Sequence, residues 1–286
     1  MSGGTPYGGR QATLETLKIG EPAAIVGQVA AARARAGLRF RLIFAATWAV
    51  LIGGLVGSLL SAGRIDADFL SIWAPYILGG VPITIVVSVF SIALAIVLAT
   101  VGALGRISRN PAIYGVASLY VSLVRGTPLI VQILFVFLAL PQIVPASAEI
   151  PVIVIGIFAL AFNYGAYMTE VFRAGIQAVP RGQREAAQAL GMPERLIMRR
   201  IVLPQAVRIV IPAIGNEFIA MIKDSALVSI ITVQELLWRA QRVGQSNFRT
   251  LETLLLAALV YWMLTLVFSI FQDRLERRMA ESDVRL

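Results

Sequence analysis

Six apolar runs punctuate the chain, and each is bounded by charged or turn-forming residues: Leu42–Ala62, Ile77–Leu104, Leu129–Leu140, Val152–Val171, Ala206–Ile222 and Leu254–Phe271. Most are long enough for the ~20 residues a helix needs to cross a bilayer, so the pattern predicts an all-α polytopic membrane protein with about six transmembrane helices. The third run is short alone and borrows length from Ala112–Val124, across a break at Arg125-Gly126-Thr127-Pro128, where proline disfavours a helical Thr127. Residues 1–41 read as a cytoplasmic tail, with a short surface helix near 22–36 and a basic cluster at Arg33, Arg35, Arg39 and Arg41. The first span, residues 42–63, competes with a signal-peptide reading through Ser61-Ala62-Gly63, but it starts later than the first ~30 residues where cleaved signals lie. Phe69–Gly79 reads as an amphipathic elbow with Trp73 and Tyr76 at headgroup depth.

Between the spans, Arg106 and Arg109, and later Arg274, Arg277 and Arg278, mark segments held on the cytoplasmic side. Pro141–Pro151 is an external loop without positive charge. Ala226–Leu237 is a return segment on the outer side, and Trp238–Thr250 a polar external loop whose Arg239, Arg242 and Arg249 run against the positive-inside tendency. Six spans put both termini in the cytoplasm, with residues 273–286 as a C-terminal tail.

Composition supports this class. Of 286 residues, 58% are hydrophobic and 14% charged, against about a quarter charged in soluble domains. The net charge of +9 would suit nucleic acid, but the arginines cluster beside spans, so no nucleic acid is expected. Neither cysteine nor histidine occurs, which removes a thiol nucleophile, the commonest general base and the commonest metal ligand. No glycine-rich phosphate loop ends in Lys-Ser/Thr, so any ATP involved belongs to another chain.

Polar groups inside the spans are the candidate chemistry, because an ionisable side chain at that depth costs several kcal/mol unless paired or hydrated. Thr84, Ser88 and Ser91 share one helix face, suited to helix packing or to lining a pocket. Gln132 is the lone polar side chain of its span. Asn163, Tyr167 and Glu170 form a second stripe; Glu170 either pairs with Arg173 or Arg125 or lines a hydrated cavity with Asn163. Glu217 lies about twelve residues, roughly 18 Å, into its helix, with no basic residue one turn away; it needs a partner from another span or a cationic guest. Glu217, Met221 and Asp224 share a face, and Lys223 beside Asp224 reads as a structural pair.

The most distinctive stretch is Glu185-Ala186-Ala187, three residues, Gly191, nine residues, then Ile201-Val202-Leu203-Pro204. Pro193 suits a first helical turn and Gly191 a left-handed helix end. Two short polar helices should meet there, projecting between two apolar segments. Glu185 also suits the positive end of a helix dipole, so part of its role is local.

This spacing resembles the coupling-loop motif of permease subunits of ABC importers. The flanks resemble the permeases for polar amino acids: Arg125-Gly126-Thr127-Pro128-Leu129, Tyr167 with Glu170-Val171-Phe172-Arg173-Ala174-Gly175-Ile176, Gly182-Gln183, and Pro204-Gln205-Ala206. The likeness covers roughly residues 75–272, with the coupling loop at 180–205, and implies a type I ABC importer transmembrane domain: a five-helix core to which residues 42–63 add an N-terminal span. It implies coupling to an ATPase through Glu185, Ala186, Ala187, Gly191, Arg195 and Pro204. It further implies an ATPase subunit dimer that carries the ATP and magnesium, a second permease subunit, identical or not, and an external solute-binding protein. The substrate would be an amino acid, met by Asn163, Tyr167, Glu170, Glu217, Gln132 and Ser88, with the acidic groups favouring an ammonium or a cationic side chain. Such a subunit sits in the inner membrane, amid lipid, is not itself the hydrolase, and holds neither cofactor nor metal.

Three other readings set the tests. A permease for methionine or a metal chelate is disfavoured by the Arg125–Pro128 and Gln205-Ala206 flanks. A membrane enzyme would have only Glu170 and Glu217 for carboxylate chemistry. An ATP-independent channel or proton-coupled carrier would leave the 185–204 protrusion dispensable.

Overall fold

The computed structural model describes residues 22–63 and 65–283, with side chains described over most of 38–279. The chain divides into two units, residues 1–65 and 66–286. The first unit's described part is one helix, α1 (Pro22–Ser61), which merges the expected surface helix and first span into a single 40-residue rod. Its Leu38–Leu59 stretch is apolar enough to cross a membrane; the expected mobile tail at 1–21 lies outside the described residues.

The second unit is helical throughout its described length. α2 (Ala67–Leu78) is the expected elbow, capped by the Asp66 side chain, which accepts from the Phe69 N–H at 3.1 Å. α3 (Val81–Arg106) and α7 (Val152–Gln177) share the longest seam. Their contact buries Ile92, Ala95 and Ala99 against Ala161, Tyr164 and Met168. Alternating small residues let the two backbones approach, as membrane helices do where apolar burial gives no drive. α4 (Pro111–Arg125) and α5 (Leu129–Leu134) follow, bent by 107° across the Gly126–Pro128 break when α6 (Leu140–Ile143) is counted with α5. The expected loop at 141–151 is instead folded, with a 3-10 turn over Pro145–Glu149.

Two π-turns interrupt the helices, at Phe135–Ala139 and Met198–Val202. Each ends two residues before a proline, Pro141 and Pro204. A proline ring lacks an N–H and clashes with the carbonyl four residues back; the wider turn moves that carbonyl aside and lets the helix continue. α10 (Leu203–Asp224) resumes after the second and keeps Pro212 inside it. After a 3-10 turn (Ser225–Ile231), the chain enters α11 (Leu236–Ser246) and then α12 (Thr250–Asp283). The polar external loop expected over 238–250 is therefore mostly a helix. Glu235 caps it by accepting from the Leu237 and Trp238 N–H groups, a signal hidden by the apolar run just before it.

Four helical stretches among the described residues are long and apolar enough to span a membrane, or five if the bent pair is one span. α10 is absent from that set, so the expected count of six is not reached on apolarity alone.

Candidate functional site: a clasped helical knob and a set of buried polar groups

α8 (Arg181–Ala189) and α9 (Glu194–Ile197) form the protrusion foreseen at 185–204. α8 ends on a Schellman motif. The Gly191 N–H donates to the Gln188 carbonyl at 2.9 Å and the Met192 N–H to the Ala187 carbonyl at 3.1 Å. Gly191 stands at φ +75°, where a side chain would cost roughly 1–2 kcal/mol. Val179, Ala187, Ile197 and Val202 form a small buried core beneath it. Its base is clasped: Gln205 Nε2 donates to Gln183 Oε1 at 2.6 Å and to the Ile201 carbonyl at 2.9 Å, joining the first turns of α8 and α10. Gln183 and Gln205 are the two flanking glutamines of the motif.

The motif residues divide by face. Ala187 is buried in the knob's own core, while Glu185, Ala186, Gly191, Arg195 and Pro204 are exposed. Leu190, which the motif leaves unspecified, is 81% exposed at the tip.

The other candidate residues fall into separate groups. Asn163 is buried, and its Nδ2 donates to Gln132 Oε1 at 3.1 Å. Gln132 in turn donates to the Val124 carbonyl at 2.8 Å and to Thr127 Oγ1 at 2.9 Å. The two amides thus brace the Gly126–Pro128 bend. Glu170 pairs with Arg106 at 3.0 Å and with Arg173 at 2.7 Å. Of the two arginines weighed for it, Arg173 is the partner; Arg125 instead lies over the half-exposed Tyr167 ring, 5.2 Å from its centroid. Ser88 is fully buried and donates to the Thr84 carbonyl at 2.8 Å.

Glu217 differs from all of these. It is half-buried and makes no hydrogen bond or ion pair with another described residue. Two turns further along the same face of α10, Asp224 accepts from the Tyr164 hydroxyl at 2.8 Å; it and Tyr164 were not among the residues singled out for the site. Lys223 is exposed and not paired with Asp224 among the described residues.

At the other end of the unit, sequence reasoning missed a buried cluster. Glu235 is fully buried and accepts from Tyr261 and Thr84 hydroxyls as well as from its two backbone N–H groups. Gly80 admits this strand of chain: a Cβ there would stand 2.6 Å from the Leu236 nitrogen. Nearby, Arg249 pairs with Asp66 and Glu252, each at 3.0 Å, and Arg239 donates to the Tyr76 carbonyl. Two of the three arginines that ran against the charge pattern are therefore held by the fold, Arg249 by two carboxylates and Arg239 by backbone carbonyls and the Tyr76 ring.

Comparison with known proteins agrees with this geometry. The family model described as "Binding-protein-dependent transport system inner membrane component" matches residues 92–281. A probable amino-acid permease protein of Bacillus subtilis, YxeN, is 35% identical over 217 residues, 76% of this chain and 97% of that protein. The arginine transport system permease protein ArtQ of the same organism is 37% identical over 209 residues, 73% of this chain and 94% of its own length. A crystal structure of an amino acid ABC transporter with histidines superposes with TM-score 0.69 at 38% identity, covering 75% of this chain and 100% of that one.

Proposed function

The chain belongs to the family of binding-protein-dependent transport system inner membrane components, and from that premise we propose that it is the permease subunit of an ABC importer for a polar amino acid. The knob carries this reading. Clasped at its base by Gln183 and Gln205 and bare at Ala186 and Leu190, it is a mechanical handle with nothing on its own chain to move it.

In this mechanism, ATP and magnesium reside on a separate ATPase pair, and a second permease subunit completes the membrane portion. A liganded binding protein delivers solute from outside. Closure of the ATPases pushes the knobs, and the bundle switches between two facing states as a rigid body. Both termini and the knob face the cytoplasm. The permease contributes no hydrolytic chemistry.

The substrate's ammonium, or a cationic side chain, meets Glu217, the half-buried carboxylate that the other described residues leave unpaired. Asp224, held by Tyr164, adds negative potential on the same face. The relatives' names span arginine, cystine and glutamine, which supports an amino acid, and the cationic preference rests on Glu217. Tyr167, half-exposed, remains available for contact, whereas Asn163, Gln132, Glu170 and Ser88 act by holding the helices that shape the path.

Reconstitution tests both levels. ATP hydrolysis should appear only when an ATPase subunit is added and should rise with liganded binding protein. Hydrolysis by the permease alone, or transport without any ATPase, would favour the enzyme or carrier readings. In the assembled complex, Glu217→Gln should raise the KM for uptake about tenfold, the scale of one lost charged contact. Unchanged kinetics in both Glu217→Gln and Asn163→Ala would remove the substrate assignment.

A further inference from the structure

We propose that the cleft between the α3–α4 turn and the knob is a phosphate-binding site, able to take the headgroup of an anionic phospholipid or a free phosphate. The cleft has a volume of about 770 Å³ and is lined by Arg106, Ser108, Arg109, Tyr114, Arg184 and Glu194, among others. Its sole lining carboxylate, Glu194, accepts from the Gln188 amide at 3.3 Å.

The three guanidinium groups are not equivalent. Arg106 is consumed by Glu170 and Ser118 and stacks 5.0 Å from the centre of the Tyr114 ring. Arg109 is exposed and has no carboxylate partner among the described residues. Arg184 donates one terminal nitrogen to the Ile176 carbonyl at 3.2 Å, but its Nε is buried without any acceptor. That buried Nε lies out of reach of the cleft, but the Arg184 Nη1 makes no hydrogen bond to another described residue, which leaves it for an anion held in the cleft. Arginine's planar fork suits a phosphate, which offers several oxygens at once.

The location makes occupancy consequential. Arg184 stands on α8, one residue before Glu185, while Arg109 stands on the turn that closes α3. An anion held by both would tie the knob to the membrane-facing turn and limit its swing. The site itself stands apart from the substrate assignment, while its effect on the knob's swing rests on the proposed function.

The test uses the full detergent-purified complex and its thermal unfolding midpoint. One arm adds inorganic phosphate against chloride at equal ionic strength; the other adds phosphatidylglycerol against phosphatidylcholine. A rise of about 3 °C or more in either arm is expected, and the responding arm identifies the source. The rise should fall below about 1 °C in Arg109→Gln/Arg184→Gln and persist in Arg181→Gln, which lies on α8 outside the cleft. No rise in either arm, or a rise that survives the double substitution, overturns the proposal. Should the double variant not assemble, Glu194→Gln decides: removing the rim carboxylate should enlarge the shift, and an unchanged or smaller shift overturns it.

Discussion

The knob and the Glu235 cluster occupy opposite ends of one helical unit and use polar residues in opposite ways. Around Glu235, every polar atom is turned inward: the carboxylate collects two hydroxyls and two backbone N–H groups from α3, α11 and α12. On the knob, the hydrogen bonds lie at the base, and the tip presents Ala186 and Leu190 to whatever lies outside the chain. The first is a joint that holds one protein together; the second, on the proposed function, is a surface that two proteins share. Polar residues alone do not distinguish these roles, but the direction in which their partners lie does.

That contrast predicts which substitutions separate function from stability. The largest functional effect should come from Ala186→Glu. It places a charged side chain on the shared surface and should reduce ATP-driven uptake more than about 100-fold, the scale of several kcal/mol lost from an interface. The permease's own unfolding midpoint should move little, since exposed changes usually stay within about 0.5 kcal/mol. Glu235→Leu should do the reverse. It leaves two hydroxyls and two N–H groups without their acceptor, a loss of about 3 kcal/mol or more. Measured as a fall in unfolding midpoint and in assembled complex recovered from membranes, the loss should be larger than for Glu235→Gln, which keeps an acceptor. Equal loss in the two variants would mean that the cluster is held by packing rather than by hydrogen bonds.

A smaller effect is expected at Gly191. Gly191→Ala forces a side chain to φ +75°, at a cost of about 1 kcal/mol, and Gly191→Asn, which tolerates that region better, should recover part of it. If coupling efficiency, as uptake per ATP hydrolysed, falls more for Ala than for Asn, the hinge's geometry sets the stroke.

The smallest effect concerns acid. Asp66, outside the spans, has its carboxyl held below its ordinary value of 3.8, first by the Phe69 N–H and, against the opposing cost of burial, by Arg249. A lowered value means the contribution is complete above about pH 3.8 and is lost as pH falls through the folded value. The wild-type complex should therefore lose some stability on acidification below that point, and Asp66→Asn should flatten that portion of the curve while lowering its plateau slightly.

The two regions also differ in how far they could be read from the chain. The knob's determinants sit within twenty residues: a left-handed glycine, a proline start, alanines at fixed spacing. Local rules suffice for such a motif, and its left-handed helix end appears where the spacing placed it, whereas the Gln183–Gln205 clasp was not foreseen. What spacing could not show was that Ala187 packs inward, because its burial depends on Val179, which precedes the motif, and on Ile197 and Val202 at the motif's far end. The Glu235 cluster joins residues up to 151 positions apart, Thr84 with Glu235, and no periodicity links them. The α7 stripe illustrates the same limit. Asn163, Tyr167 and Glu170 do share a face, but that face meets Gln132, Arg125 and Arg106 on three other elements.

The central claim is that the tip of the knob meets a nucleotide-driven motor on the cytoplasmic side. The chain contains no cysteine, so Leu190→Cys introduces a single thiol at the most exposed apolar point of the tip. With a thiol cross-linker in membranes containing the whole transporter, this variant should join the permease to the ATPase subunit, with a yield that changes between nucleotide-free and ATP-bound states. Labelling of the same thiol from outside intact cells by a membrane-impermeant reagent, with no adduct to the ATPase, would contradict the claim.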